Sequence, residues 1–106
     1  ARALAAAGCK VAVLDLQQEQ GEKVAADIGG IFLKCDVSSP DSAEAAINAA
    51  RDAHGPCGIA VNCAGIATAS KILGREGVMP LENFSKVIQV NLIGTFNILR
   101  HIRCRW

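Results

Sequence analysis

The spacing of apolar positions changes several times along this chain, and each change predicts an element boundary. Arg2 to Ala7 is alanine-rich and closes at Gly8, the pattern of a helix's second half ended by a glycine able to turn left-handed. Lys10-Val11-Ala12-Val13-Leu14-Asp15 is a continuous apolar run ending on an acid, as expected of a strand buried on both faces of a parallel sheet. Gln17 to Ile28 returns to helical spacing through Val24, Ala25 and Ile28, and Gly29-Gly30 stops it. Ile31 to Lys34 predicts the next strand, which delivers Cys35-Asp36-Val37 to a loop. Ser38-Ser39-Pro40-Asp41 supplies a capping hydroxyl, a first-turn proline and an early acid, so a helix follows through Ala43 to His54 and ends at Gly55-Pro56. Ile59 to Val61 predicts a third strand and Ala67 to Pro80 an irregular loop. Leu81 to Ile102 predicts one long amphipathic helix with Phe84, Ile88, Leu92 and Phe96 along one face.

Strands alternating with helices are the rhythm of an α/β, doubly wound parallel sheet. With 106 residues, 51% of them hydrophobic, the chain can build one core and not two, so residues 1–106 form a single domain. The 11 basic and 10 acidic residues leave +1, too small a field for nucleic acid or an anionic membrane. Without Arg100, Arg103 and Arg105 the balance is 8 against 10, so the body is mildly acidic, and the basic tail is expected to be a solvated helix end. Cys9, Cys35, Cys57, Cys63 and Cys104 are odd in number and lack C-x-x-C spacing, which predicts reduced, intracellular thiols and no zinc or other metal site. No stretch approaches the ~20 apolar residues that a membrane span needs. His54 and His101 are expected to be solvated residues near helix ends.

Candidate chemistry lies where strands end. In open α/β sheets ligands bind beyond the carboxyl ends of the strands, where the carboxylate of Asp15 can accept both hydroxyls of an adenosine ribose. It would also repel a 2′-phosphate, which points to NAD rather than NADP. The alternative is that Asp15 merely caps the next helix. Asp36 ends the next strand; its carboxylate can accept from the exocyclic amine of adenine while Val37 packs on the ring, or it can cap the turn into Ser38-Ser39-Pro40, and the two roles can coexist. Asn62 and Gly65 follow the third predicted strand, where a glycine lets backbone approach a ligand and an asparagine can tie strand ends together. Asn91 falls on an apolar helical face, where an amide needs a partner. It can hold a water through its side chain or a kinked backbone carbonyl, which would suit a proton relay, or it can bond a neighbouring loop. Cys63 has no histidine beside it and is expected to fill a turn against a ligand.

Asp15 after a strand, Cys35-Asp36-Val37, Val61-Asn62-Cys63-Ala64-Gly65-Ile66-Ala67 and Val90-Asn91-Leu92-Ile93-Gly94-Thr95-Phe96-Asn97 together resemble the short-chain dehydrogenase/reductase superfamily. Ala69-Ser70-Lys71 and the long loop to Leu81-Glu82-Asn83-Phe84 are similar to its type-2 3-hydroxyacyl-CoA dehydrogenase group. The resemblance implies a Rossmann-like fold and transfer of a hydride between NAD and a secondary alcohol or ketone, such as a 3-hydroxyacyl-CoA or a hydroxysteroid. It assigns the adenosine ribose to Asp15 and Leu16, the adenine to Asp36 and Val37, support of the cofactor site to Asn62, Cys63, Ala64 and Gly65, and a place in a catalytic tetrad to Asn91. The tetrad's serine, tyrosine and lysine have no counterpart here, and the chain holds no tyrosine. The family's first strand and glycine-rich phosphate turn have none either, so the fold is expected to be partial. In such a fold the first strand lies between those ending at Asp15 and Asn62, and its loss would leave a gap of ~10 Å lined by unpaired backbone. The chain alone is therefore expected to be unstable and inactive, a fragment of an active parent or a nucleotide-binding or scaffold module. The resemblance further implies a homotetrameric, mitochondrial parent, whereas the tail after Arg100 departs from the apolar continuation expected of the last helix.

Overall fold

The computed structural model describes residues 1–102, so the tail positions Arg103, Cys104, Arg105 and Trp106 lie outside the described residues. Along the chain run α1 (Arg2–Ala6), β1 (Ala12–Asp15), α2 (Gln18–Ile28), β2 (Ile31–Lys34), α3 (Pro40–His54), β3 (Leu73–Gly74), β4 (Gly77–Val78), α4 (Leu81–Ile88), a π-helical turn (Gln89–Ile93) and α5 (Gly94–Leu99).

The organising unit is β1-α2-β2. The two strands pair in parallel, from Ala12 opposite Ile31 to Asp15 opposite Lys34. Each glycine of Gly29-Gly30 has its own physical reason. Gly29 closes α2 in a left-handed conformation at φ 68°, while a Cβ on Gly30 would stand 2.5 Å from the Val11 carbonyl oxygen. Helix α2 seats directly on the sheet, since a Cβ on Gly21 would overlap the Phe32 ring. Phe32 therefore faces α2. Leu33, one residue on, faces the other way and packs with Leu14 against Cys35, Ala43, Ala46, Ile47 and Ile98. The sheet is thus covered by α2 on one face and by α3 on the other, with α5 packed on α3, the layering of a doubly wound domain. Helix α3 starts as its sequence signals require: the Ser39 hydroxyl accepts from the Ser42 amide at 3.3 Å and Pro40 occupies the first turn.

Five expectations are corrected. Ile59 to Val61 forms no strand, and Ile59 and Val61 stay exposed. A strand exists only as part of a ladder, and no strand among the described residues lies beside this segment. For the same reason Ala12, Val13 and Leu14 are half-buried rather than enclosed on both faces. The loop from 67 to 80 contains a short antiparallel hairpin, pairing Leu73 with Val78 and Gly74 with Gly77. The single long helix becomes α4, the π turn and α5, ending at Leu99 rather than Ile102. Finally, His54 and His101 are half-buried: His54 Nε2 donates to the Val11 carbonyl at 3.1 Å, and the His101 carbonyl accepts from Arg51 Nη2 at 3.0 Å.

The buried core is small and made largely of alanine, cysteine and isoleucine, with much apolar surface left open. Phe84, Leu92 and Phe96, the predicted apolar face of the last helix, are each more than half exposed. The radius of gyration is 16.3 Å, against about 13 Å for a compact domain of this length. Among the described residues these apolar faces are left open.

Candidate active site

The parallel pairing of β1 and β2 places Asp15 and Asp36 on one edge of the sheet. The Cys35 amide donates to the Asp15 carbonyl oxygen at 3.0 Å, which carries the ladder past the end of β2 and fixes the two loops beside each other. Asp15 is exposed, and its Oδ1 accepts from the Gln17 amide at 3.1 Å. That bond closes a turn leading into α2, whose N-cap position is Gln17 and takes no side-chain bond, so Asp15 does not cap the helix, and its exposed carboxylate remains accessible to hydroxyl donors. Leu16 beside it is also exposed.

Asp36 is held more tightly. Its Oδ1 accepts from the Ser38 amide at 3.0 Å and the Ser38 hydroxyl at 2.6 Å, while its own amide donates to Ser42 Oγ at 2.9 Å. The turn-capping role expected of Asp36 is therefore present, and it presents the half-buried Val37 at the mouth of the same edge. Below them, burial pushes the Cys35 thiol above its usual range, a Ser42 hydrogen bond opposes this, and the Asp36 charge adds to it. Cys35 is a neutral packing residue of the core, whereas Cys63 is exposed.

A second group forms where residues 62–66 meet the π turn. Asn91 Oδ1 accepts from the Ile66 amide at 2.8 Å and Asn91 Nδ2 donates to the Ile66 carbonyl at 2.8 Å. The side-chain amide thus pairs with a peptide group as a neighbouring strand would, and holds a segment that has no strand partner. Gly65 fits under this clamp, since a Cβ there would stand 3.4 Å from Asn91 Oδ1. Asn91 is exposed rather than sunk in an apolar face, and of its expected roles the bond to a neighbouring loop is the one its side chain takes. One donor and one acceptor site of that amide are committed to Ile66, and the backbone carbonyl is a separate acceptor. That carbonyl lies in the π turn, where the Gly94 amide reaches back five residues to the Gln89 carbonyl, and it accepts the Thr95 hydroxyl at 3.0 Å. Such turns widen a helix locally and recur at functional sites. Asn62, expected to tie strand ends, makes no side-chain hydrogen bond among the described residues, and Cys63 and Ala64 are exposed beside it.

A further asparagine joins the two groups, and sequence reasoning assigned it no role. Asn97 is 5% exposed; its Nδ2 donates to the Val37 carbonyl at 2.8 Å and the Ser39 carbonyl at 3.1 Å, and its Oδ1 accepts from Arg100 Nε at 2.9 Å. Alongside it, Gly94 packs so closely on Val37 that a Cβ would stand 2.6 Å from Val37 Cγ2. The available signal was an asparagine between Phe96 and Ile98 on a helix, a place where an amide demands partners.

This arrangement of strand-end carboxylates, glycine turn and helix-borne asparagine agrees with the comparison to known families, in which residues 1–105 match the one described as enoyl-(acyl carrier protein) reductase. The chain belongs to the short-chain dehydrogenase/reductase family. It is 43% identical over 104 residues to the 3-hydroxyacyl-CoA dehydrogenase type-2 of Bos taurus, covering 94% of this chain and 40% of the relative. The Homo sapiens protein of the same name is 39% identical over the same spans. The mitochondrial borneol dehydrogenase of Lavandula x intermedia is 35% identical over 101 residues, 95% of this chain and 38% of the relative. The chain thus spans about 40% of the length of these dehydrogenases.

In this short-chain dehydrogenase/reductase chain, no three of His, Cys, Asp and Glu among the described residues are placed to hold a metal ion. No described helix is long and apolar enough to cross a membrane.

Proposed function

We propose that this chain supplies the adenosine side of an NAD site, together with one member of the proton-transfer machinery, to an oxidoreductase acting on a secondary alcohol or ketone. The observation that carries the reading is the exposed Asp15 carboxylate at the carboxyl end of β1, fixed beside the Asp36-Val37 turn. That edge fits a dinucleotide: Asp15, with Leu16 beside it, receives the ribose hydroxyls, and Asp36 and Val37 frame the base. NAD supplies the hydride acceptor when bound. Asn62, Cys63, Ala64 and Gly65 form the exposed turn on which the cofactor's inner part rests, and Asn91 holds that turn in place through Ile66. The Asn91 carbonyl, which accepts the Thr95 hydroxyl, is the group proposed to hold a water of a proton relay.

The substrate class follows from similarity to proteins named 3-hydroxyacyl-CoA dehydrogenase type-2, and a 3-hydroxyacyl-CoA or a hydroxysteroid is the substrate proposed. A mitochondrial address and a homotetramer closed by the apolar face of Phe84, Leu92 and Phe96 belong to the same proposal. A second reading, a nucleotide-binding or scaffold module without turnover, rests on the absence of tyrosine from residues 1–106.

The test is oxidation of a 3-hydroxyacyl-CoA with NAD, followed by the absorbance of NADH. The full-length protein carrying this chain is expected to turn over, and residues 1–106 alone are not. No turnover by the full-length protein with acyl-CoA or steroid alcohols would favour the second reading.

A further inference from the structure

We propose that Asn97 is a positioning residue that sets the affinity for the adenosine half of the cofactor, an inference that rests on the reading of Asp36 and Val37 given above. Three observations on the same spot support it. Asn97 is almost fully buried and uses both amide hydrogens on carbonyls of the turn that bears Val37, one on either side of Ser38. The Asn97 oxygen is itself held by Arg100 Nε, so the amide cannot flip without losing all three bonds. Gly94, three residues earlier, touches Val37 from the same helix, with space for no side chain.

Each feature by itself is ordinary packing. Together they fix where Val37 stands. Asp36 shapes its turn through Ser38 and ties it to the first turn of α3 through Ser42, but none of those bonds reaches the helix that carries Asn91. The bonds from Asn97 anchor that turn to the helix that also carries Asn91. Asn97 lies six residues beyond Asn91, about 9 Å along a helix axis, so one rigid rod meets both the base-binding turn and the clamp on Ile66. The Ser39 carbonyl that Asn97 holds also receives the Ala43 amide of α3, which ties the start of that helix into the same junction. A ligand pressing on Val37 therefore meets a surface already held in place, and binding does not have to order it.

The prediction separates the two halves of the cofactor. In the full-length protein, Asn97→Asp keeps the side chain's shape and places a carboxylate oxygen against two carbonyl oxygens. The Kd for NADH and for AMP is expected to rise about tenfold or more, while that for reduced nicotinamide mononucleotide, which lacks the adenosine, changes less than about twofold. At saturating NAD, kcat is expected to stay within about threefold of the parent value, so the loss falls on KM. If Asn97→Asp does not fold, Asn97→Ser, which is smaller and keeps one donor, carries the same test. The core variant Ile47→Val serves as the control for stability alone, and is expected to lower Tm while leaving all three Kd values unchanged. Equal weakening of mononucleotide and dinucleotide, or unchanged NADH and AMP affinity in the Asn97 variants, would overturn the assignment. A parent protein that binds mononucleotide but neither NADH nor AMP would instead defeat the reading of the site, and this inference with it.

Discussion

Replacing Asn91 with alanine in the full-length protein is expected to lower kcat by about a hundredfold or more, with KM for NAD within a few-fold of the parent. Alanine removes both bonds to Ile66, which are what hold residues 62–66 against the π turn. The segment then drifts, and an error of about 1 Å in a reacting geometry is enough for a loss of that size. Stability should suffer less, about 1 kcal/mol, because the pair is exposed here and water can replace it. Steady-state kinetics with both substrates varied, beside thermal melts, would separate the two effects. A fall in Tm with kcat intact would show that Asn91 is only a structural clamp.

Exchanging Asp15 for serine is expected to change cofactor preference rather than rate. A carboxylate at the ribose site accepts from two hydroxyls, with charge-assisted bonds worth about 1.5 to 3 kcal/mol each, and it repels a 2′-phosphate. Serine loses the first effect and abolishes the second. The ratio of kcat/KM for NAD over NADP should fall by about a hundredfold, equivalent to about 2.7 kcal/mol. Part of that change is a real gain with NADP, and this distinguishes it from damage to the fold. Asp15 also closes the turn before α2 through the Gln17 amide, a bond serine can retain more weakly, so the helix should persist. Unchanged discrimination would mean that Asp15 serves that turn alone.

The elements whose causes are local were legible in the sequence. Gly29-Gly30 ended α2 and Ser39-Pro40 opened α3 because a cap, a proline or a left-handed glycine acts within a few residues. Ile59 to Val61 has strand composition and no strand, because a ladder needs a partner and pairing is not a property of the segment. The π turn escaped notice for a different reason: one extra residue per turn leaves the apolar spacing from Phe84 to Phe96 almost unaltered.

The site was legible to a similar degree. Asp15 and Asp36 could be placed on one edge from strand ends alone, and the parallel register of β1 and β2 agrees. Asn91 and Asn97 look alike in sequence, six residues apart on one helix. Only the packing of α5 against α3 decides that Asn97 is buried on the Val37 turn while Asn91 faces Ile66. The half-buried histidines show the same limit, since the bond from His54 to the Val11 carbonyl spans 43 positions.

The most direct test of the account is a titration of the full-length protein with NADH and with NADPH, followed by calorimetry. The exposed Asp15 carboxylate beside the Asp36-Val37 turn predicts NADH binding tighter by about a hundredfold, a preference that Asp15→Ser removes. Equal affinity for the two, or tighter binding of NADPH, would contradict it.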